Sequence, residues 1–269
     1  MPQGRSAGAE KEVALTGLLS EADGLPVAVD NPDAEGLVLL VCEHASRRLP
    51  EKYGTLGLSP EALSSHIAWD PGALAVSRLL SVSLDATLIH QRFSRLVYDC
   101  NRPPEAEAAM PAVSEIFDIP GNSAISHDER RARTEALYQP FRDKLSSFIA
   151  ERKQAGRPPV LVTMHSFTPV YHGLQREVEI GILHDEDTRL ADAMLAAAGK
   201  NKKYIVRRNE PYGPADGVTH TLIEHGLKNG LPNVMIEVRN DLISNDGGQR
   251  VMADYLTDLL GESLKELSQ

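Results

Sequence analysis

A chain of 269 residues is long enough for one large α/β domain, and 28 Lys and Arg against 38 Asp and Glu leave it a formal net charge of −10. That balance excludes a duplex nucleic-acid surface, which needs an excess of basic residues over one face. Two cysteines, Cys42 and Cys100, sit among apolar neighbours and no apolar run approaches the ~18 residues of a membrane span, so the chain reads as a reduced, cytoplasmic protein without a disulfide framework or a membrane partner.

Residues 1–36 contain no apolar stretch behind a basic start, so they read as a leader, frayed to about residue 12, and a lead-in to a single domain over 37–269. "GLVLLVC" (36–42) is the continuous apolar run of a strand buried on both faces. Asp70–Pro71 is expected to open a helix, Asp70 as N-cap and Pro71 in the first position, continued by Leu74, Val76, Leu79 and Leu80. "DATLIHQ" (85–91) follows as a strand. Residues 102–126 carry prolines and little periodicity, as a long active-site loop or lid does. "SHDER" (126–130), a Ser followed three residues on by Glu, opens a long helix with Leu137, Phe141, Leu145, Phe148 and Ile149 on one stripe. "RPPVLVTMHS" (157–166), "REVEIGIL" (176–183), "KYIVRRN" (203–209) and "PNVMIEVR" (232–239) are further strands, separated by helices at about 186–199 and 217–229 and followed by one at 247–266. This alternation predicts a three-layer α/β fold around a mostly parallel or mixed sheet.

In such sheets ligands bind beyond the carboxyl ends of the strands. The residues there are Glu43, His44 and Ser46, then His165 and Ser166, then Glu237 and Arg239, with Asp70 from "HIAWD" and Arg95, Asp99, Asn101 and Arg102 from "RFSRLVYDCNRP". Two histidines and a carboxylate from different strand ends suit a catalytic zinc or another divalent cation, and His44, Asp70 and His165 are the candidates. The alternative is that both histidines bond the backbone at strand ends. Glu237, at the mouth of an apolar strand, is partly desolvated, which raises its pKa and fits it to take a proton from water near neutral pH. Arg239 shares a strand face with it and is expected to meet substrate or Asp241. Arg95 and Arg102 suit an anionic substrate, because a guanidinium holds a carboxylate by two parallel bonds, and Asp99 is their internal partner. Ser166, Asn101 and, from the loop "NEPYGPADG" (209–217), Asn209 and Tyr212 complete the expected substrate-binding set. His66 is expected to be solvated, and His225, next to Gly226, to complement a helix dipole. Neither a phosphate loop nor a dinucleotide fingerprint occurs.

"CEHAS" (42–46), "HIAWDPGA" (66–73), "SRLVYDCNRP" (94–103), "HSFTP" (165–169) and "IEVRNDLI" (236–243), in this order, resemble the N-formylglutamate amidohydrolase family over nearly the whole chain. The resemblance implies a zinc-dependent hydrolase of the phosphorylase/hydrolase-like fold related to the zinc carboxypeptidases. It also implies hydrolysis of N-formyl-L-glutamate to L-glutamate and formate, a step in histidine degradation. His44, His165 and Asp70 match the family's motif positions, and Glu237 falls where the zinc carboxypeptidase group keeps its base. Arg95, Asn101 and Arg102 lie in the motif that would face a small anionic N-acyl amino acid, with Arg95 or Arg239 on the developing oxyanion. "CEHAS" stands where other members carry a "PHSG"-like motif, so the chain resembles a divergent branch, and Glu43 competes with Asp70 as the oxygen ligand. Another acylated amino acid or small peptide as substrate, and a non-catalytic ligand-binding relative, are the alternatives.

Overall fold

The computed structural model describes residues 17–267, so the leader expected up to about residue 12 lies outside them. In chain order the strands are β1 (Val27–Asp30), β2 (Val38–Cys42), β3 (Thr87–Gln91), a hairpin of β4 (Val113–Ser114) and β5 (Phe117–Asp118), β6 (Val160–Phe167), a second hairpin of β7 (Val170–Tyr171) and β8 (Leu174–Gln175), β9 (Ile180–Leu183), β10 (Val206–Arg208) and β11 (Asn233–Arg239). The helices are α1 (Pro60–Ser64), α2 (Ala73–Ser83), α3 (His127–Arg133), α4 (Gln139–Gln154), α5 (Arg189–Lys200) and α6 (Asp246–Leu267).

One seven-stranded sheet runs in the order β1-β3-β2-β6-β11-β9-β10. The pairs β3/β2, β2/β6, β6/β11 and β9/β10 are parallel, whereas β1 on β3 and β9 on β11 are antiparallel, so the sheet is mixed. The central strands are buried along their whole length, which is why "VLLVC" and "VLVTMHSF" are near-continuous apolar runs. On one face Leu40, Val162, Met164, Ile236 and Val238 pack with Val76 and Leu80 of α2, Met194 of α5 and Leu256 and Leu260 of α6. On the other, Leu39, Val41, Ile89 and Leu161 meet Phe93, Leu137, Phe141, Leu145 and Ile149. The expected three-layer α/β fold is the one observed.

Four expectations are corrected. The lead-in before residue 37 is not outside the sheet: Val27–Asp30 is its edge strand, paired with Asp30↔Leu88 through Val27↔Gln91. Asp70 does not cap a helix. α2 begins at Ala73 after Gly72, whose φ of 81° is left-handed and whose missing Cβ would lie 2.5 Å from the Ile243 carbonyl oxygen. The long helix expected after Ser126 is present, the Ser126 hydroxyl accepting from Glu129 N at 3.1 Å, and it widens to a π-turn over Thr134–Tyr138. Pro140, which has no N–H to give the carbonyl of residue 136, sits just beyond it. The helix expected over 217–229 is a wide turn, Leu222–Gly226, followed by a 3₁₀ turn, Leu227–Asn229. Its His225 is buried, and burial lowers its pKa to about 4, so it is neutral and complements no helix dipole. Among the described residues no helix is long and apolar enough to cross a membrane.

Candidate active site and metal centre

Because β2, β6 and β11 are adjacent and parallel, the chain leaves all three at one edge of the sheet. Register places Glu237 beside His165. The Asp70 amide donates to the His44 carbonyl at 2.9 Å, tying the segment ahead of α2 to the end of β2. Ser166 fixes it from the other side: its amide donates to Asp70 Oδ2 at 3.2 Å and its hydroxyl to the Pro71 carbonyl at 2.8 Å. Once freed from capping duty, Asp70 turns its carboxylate into the space between the two histidines.

There His44 Nδ1, His165 Nδ1 and Asp70 Oδ2 converge, with His44 Nδ1 at 3.3 Å and His165 Nδ1 at 2.9 Å from the carboxylate oxygen and the two nitrogens 3.2 Å apart. A tetrahedral cation with bonds of ~2.0–2.1 Å holds its ligand atoms about 3.3 Å apart, so these residues fit one without rearrangement. A carboxylate stands on the far side of each ring. Asp99 Oδ1 lies 2.7 Å from His44 Nε2 and Glu43 Oε2 lies 3.1 Å from His165 Nε2. The hydrogen bond between His44 Nε2 and Asp99 puts that ring's proton on Nε2 and turns its Nδ1 lone pair toward a metal, while Glu43 stands behind His165 as an ion-pair partner without a hydrogen bond. Glu43 therefore backs His165 rather than competing with Asp70 for a cation.

Charge follows this geometry. Burial works against an ionised Asp70, but the two histidines hold its carboxyl far below the usual range. Burial likewise opposes a charged His165, yet Glu43 and Asp70 raise its pKa well above the ordinary histidine value. Glu237 goes the other way. It is buried, its Oε2 has no hydrogen-bond partner, and burial, reinforced by the Asp70 charge and offset in part by His165, raises its pKa to about 7. A carboxyl poised at that value with one oxygen left without a partner is suited to proton transfer at neutral pH.

A cleft of about 530 Å³ opens over these groups, walled by Arg95, Arg102, Arg176, Tyr171 and Tyr212. Arg95 is spoken for in part: Nη2 donates to Asp99 Oδ2 at 2.6 Å and Nη1 lies 3.6 Å from Asp70 Oδ1. Asp99 is thus the arginine's internal partner as expected, and also His44's. Tyr212 reaches the cleft on the loop that follows β10. The strand β9 lets that loop approach, because a Cβ on Gly181 would lie 2.0 Å from the Glu210 carbonyl oxygen.

Four expected substrate-binding residues do other work, Ser166 by holding Asp70 and Pro71 as above. Arg239 is turned from the cleft: Nε donates to Asp241 Oδ1 at 2.8 Å, Nη2 lies 3.6 Å from Glu179 Oε1, and Nη1 donates to the Arg176 carbonyl at 3.2 Å. Asn209 sits in a turn with φ of 49° and accepts from the His184 amide at 2.9 Å. Asn101 borders the cleft, but both ends of its amide are used, Nδ2 on the Val218 carbonyl at 2.5 Å and Oδ1 on the Thr221 amide at 3.0 Å, so it pins the wide turn. His66 is not simply solvated. Its Nε2 lies 3.0 Å from Glu115 Oε2, a residue of the tight turn joining β4 and β5, and both line the cleft. Arg176 carried no signal in the sequence, because the loops that surround it meet only in the fold.

Comparison with known proteins bears on this site. A family model described as N-formylglutamate amidohydrolase matches residues 36–244, a span that holds His44, Asp70, His165 and Glu237. The chain belongs to the N-formylglutamate amidohydrolase family. Among solved structures, a gene product from Agrobacterium tumefaciens is 63% identical, with a TM-score of 0.92 over 94% of this chain and 100% of that one. An N-formylglutamate amidohydrolase from Ralstonia eutropha JMP134 is 20% identical, with a TM-score of 0.59 over 89% of this chain and 97% of that one, a likeness of fold. A search of the curated proteins finds no match. As a family member the chain is an amidohydrolase of the formylglutamate type, and its two histidines and aspartate form a possible metal site.

Proposed function

We propose that this amidohydrolase cleaves the linear amide of an N-acyl amino acid, with N-formyl-L-glutamate its foremost substrate and L-glutamate and formate its products. The observation that carries the reading is the pairing of two sites at one strand edge: three atoms of metal-ligating type within 3.3 Å of one another and, on the neighbouring strand, a buried carboxyl whose Oε2 has no hydrogen-bond partner among the described residues. His44, Asp70 and His165 would hold a divalent cation, zinc by the preference of such N/O sets. When bound, such a cation polarises the amide carbonyl and makes water acidic enough to attack it at neutral pH. Glu237 takes one proton from the attacking water and gives it to the leaving nitrogen, so that hydroxyl ends on the acyl carbon and the amine departs neutral. Arg95, fixed by Asp99 and Asp70, faces the charge that grows on the carbonyl oxygen. Arg102, whose Nη1 is anchored on the Asn101 carbonyl at 2.8 Å, offers the rest of its fork to a substrate carboxylate.

Free, buried thiols at Cys42 and Cys100 support a cytoplasmic site of action, and formylglutamate as substrate would put the reaction in histidine degradation. The test of the mechanism is Glu237→Gln. It keeps the shape of the side chain and removes the base, so kcat on N-formyl-L-glutamate should fall about 10²- to 10⁴-fold while zinc content and thermal stability stay near wild type. A metal-loaded variant with near-normal turnover would overturn the assignment of Glu237.

A further inference from the structure

Arg176 carries the next step. Its guanidinium carbon lies 4.5 Å from the ring centroid of Tyr171, 4.8 Å from that of Tyr212 and 5.6 Å from that of Phe167. All four residues line the cleft that holds Glu237. The backbone is fixed as well: the Arg176 amide donates to the Pro169 carbonyl at 2.8 Å, and its carbonyl accepts from Arg239 Nη1 at 3.2 Å. Arg239 thus braces the segment that presents Arg176, which explains why an arginine stands two residues after the base without entering the cleft.

What sets Arg176 apart from Arg95 and Arg239 is the absence of an anion. Arg95 is paired with Asp99 and Asp70, and Arg239 with Asp241 and Glu179, whereas among the described residues no carboxylate pairs with Arg176. Its Nη1 donates to the Thr168 carbonyl at 3.4 Å, and the aromatic faces hold the guanidinium in place and strip water from it without neutralising it, which leaves the rest of its N–H fork ready for an outside acceptor at little further cost in side-chain entropy. Arg102 is a second cleft arginine with no carboxylate paired to it among the described residues. An N-acyl amino acid with an apolar or amide side chain brings one carboxylate to such a cleft, and an acidic side chain brings two.

On the function proposed above, we infer that Arg176 is the specificity-determining residue that receives the side-chain carboxylate of the substrate, so that the cleft selects N-acylated acidic amino acids over their uncharged isosteres. Arg239 is a positioning residue for it.

The test compares zinc-loaded wild type, Arg176→Gln and Arg176→Lys on N-formyl-L-glutamate and N-formyl-L-glutamine, and on the matching N-acetyl pair. Wild type should prefer the acidic member of each pair. Arg176→Gln should lower kcat/KM for the acidic member about 10- to 100-fold, chiefly through KM, and leave the amide member within about twofold, as loss of a charge-assisted bond predicts. Arg176→Lys should recover part of the preference, since it keeps the charge and loses the fork. A merely structural role for Arg176 lowers both members equally, and that result, or an unchanged ratio, overturns the inference. Should Arg176→Gln not fold, the Arg176→Lys ratio decides by the same criterion. A wild type that acts on amides as well as acids also overturns it while leaving the amidohydrolase reading standing. A wild type that turns over no member of the panel overturns the proposed function and this inference together.

Discussion

Replacing Asp99 by Asn separates a built metal centre from a chance meeting of histidines. Burial opposes the charge on Asp99, but Arg95 and then His44 hold its carboxyl well below the usual range, so it is ionised throughout the neutral region. One oxygen serves His44 Nε2 at 2.7 Å and the Asn101 amide at 2.9 Å, and the other takes Arg95 Nη2 at 2.6 Å. Asn keeps the volume and breaks the pattern in either orientation. With its oxygen on His44, its amino group meets the donor of Arg95. With the amide flipped, its amino group asks His44 Nε2 to accept, which moves the imidazole proton to Nδ1, the nitrogen that faces Asp70 and His165. Partners in this position are worth about 10- to 100-fold in metal affinity, or about 1.4–2.8 kcal/mol. Zinc competition against a chromophoric chelator at neutral pH reads that loss directly, with circular dichroism to show an unchanged fold. A folded Asp99→Asn protein that binds zinc within about twofold of wild type would refute the reasoning, because the carboxylate behind His44 would then have no part in orienting a ligand.

The pH dependence of kcat/KM follows from Glu237. Only its deprotonated form accepts a proton, so activity should fall as pH drops through its pKa and level off above it. With that pKa raised to about 7 in the metal-free protein, and a bound cation pulling it down, the acid limb should lie below about 7, and a profile with no acid limb would count against Glu237 as base. Gly181→Ala should destabilise the fold by ~1–3 kcal/mol, read as a lower midpoint in urea with unchanged slope, because the new Cβ would press on the Glu210 carbonyl; an unchanged midpoint would mean that the loop carrying Tyr212 moves aside freely.

Much of the fold was legible because its central strands are buried on both faces and so are written as mostly apolar runs, as in Val160–Phe167 and Asn233–Arg239. β1 was not, since four half-buried edge residues need only one paired side and leave no strong pattern. The start of α2 was misread for a reason tied to function. Asp70–Pro71 is locally a good helix opening, but the left-handed Gly72 lets the chain hold Asp70 between two histidines instead, at a point where local preference gives way to the site.

His44, His165 and Glu237 could be singled out in advance because they lie at or just past the carboxyl ends of adjacent parallel strands, where topology alone delivers them to one edge. The cleft wall could not. Arg239 shares a strand with Glu237, yet Asp241 and Glu179 claim it, and Asn209 is consumed by a turn. Arg176, and the pairing of His66 with Glu115, depend on loops far apart in sequence meeting in space. Spacing within a single segment carries no record of that.

The most direct measurement is metal content of protein purified without chelator, with formate release from N-formyl-L-glutamate followed on the same sample before and after dialysis against chelator. The account predicts about one zinc per chain, formate release that disappears with the metal, and recovery when zinc is returned. Formate release that persists at full rate in metal-free protein would contradict it.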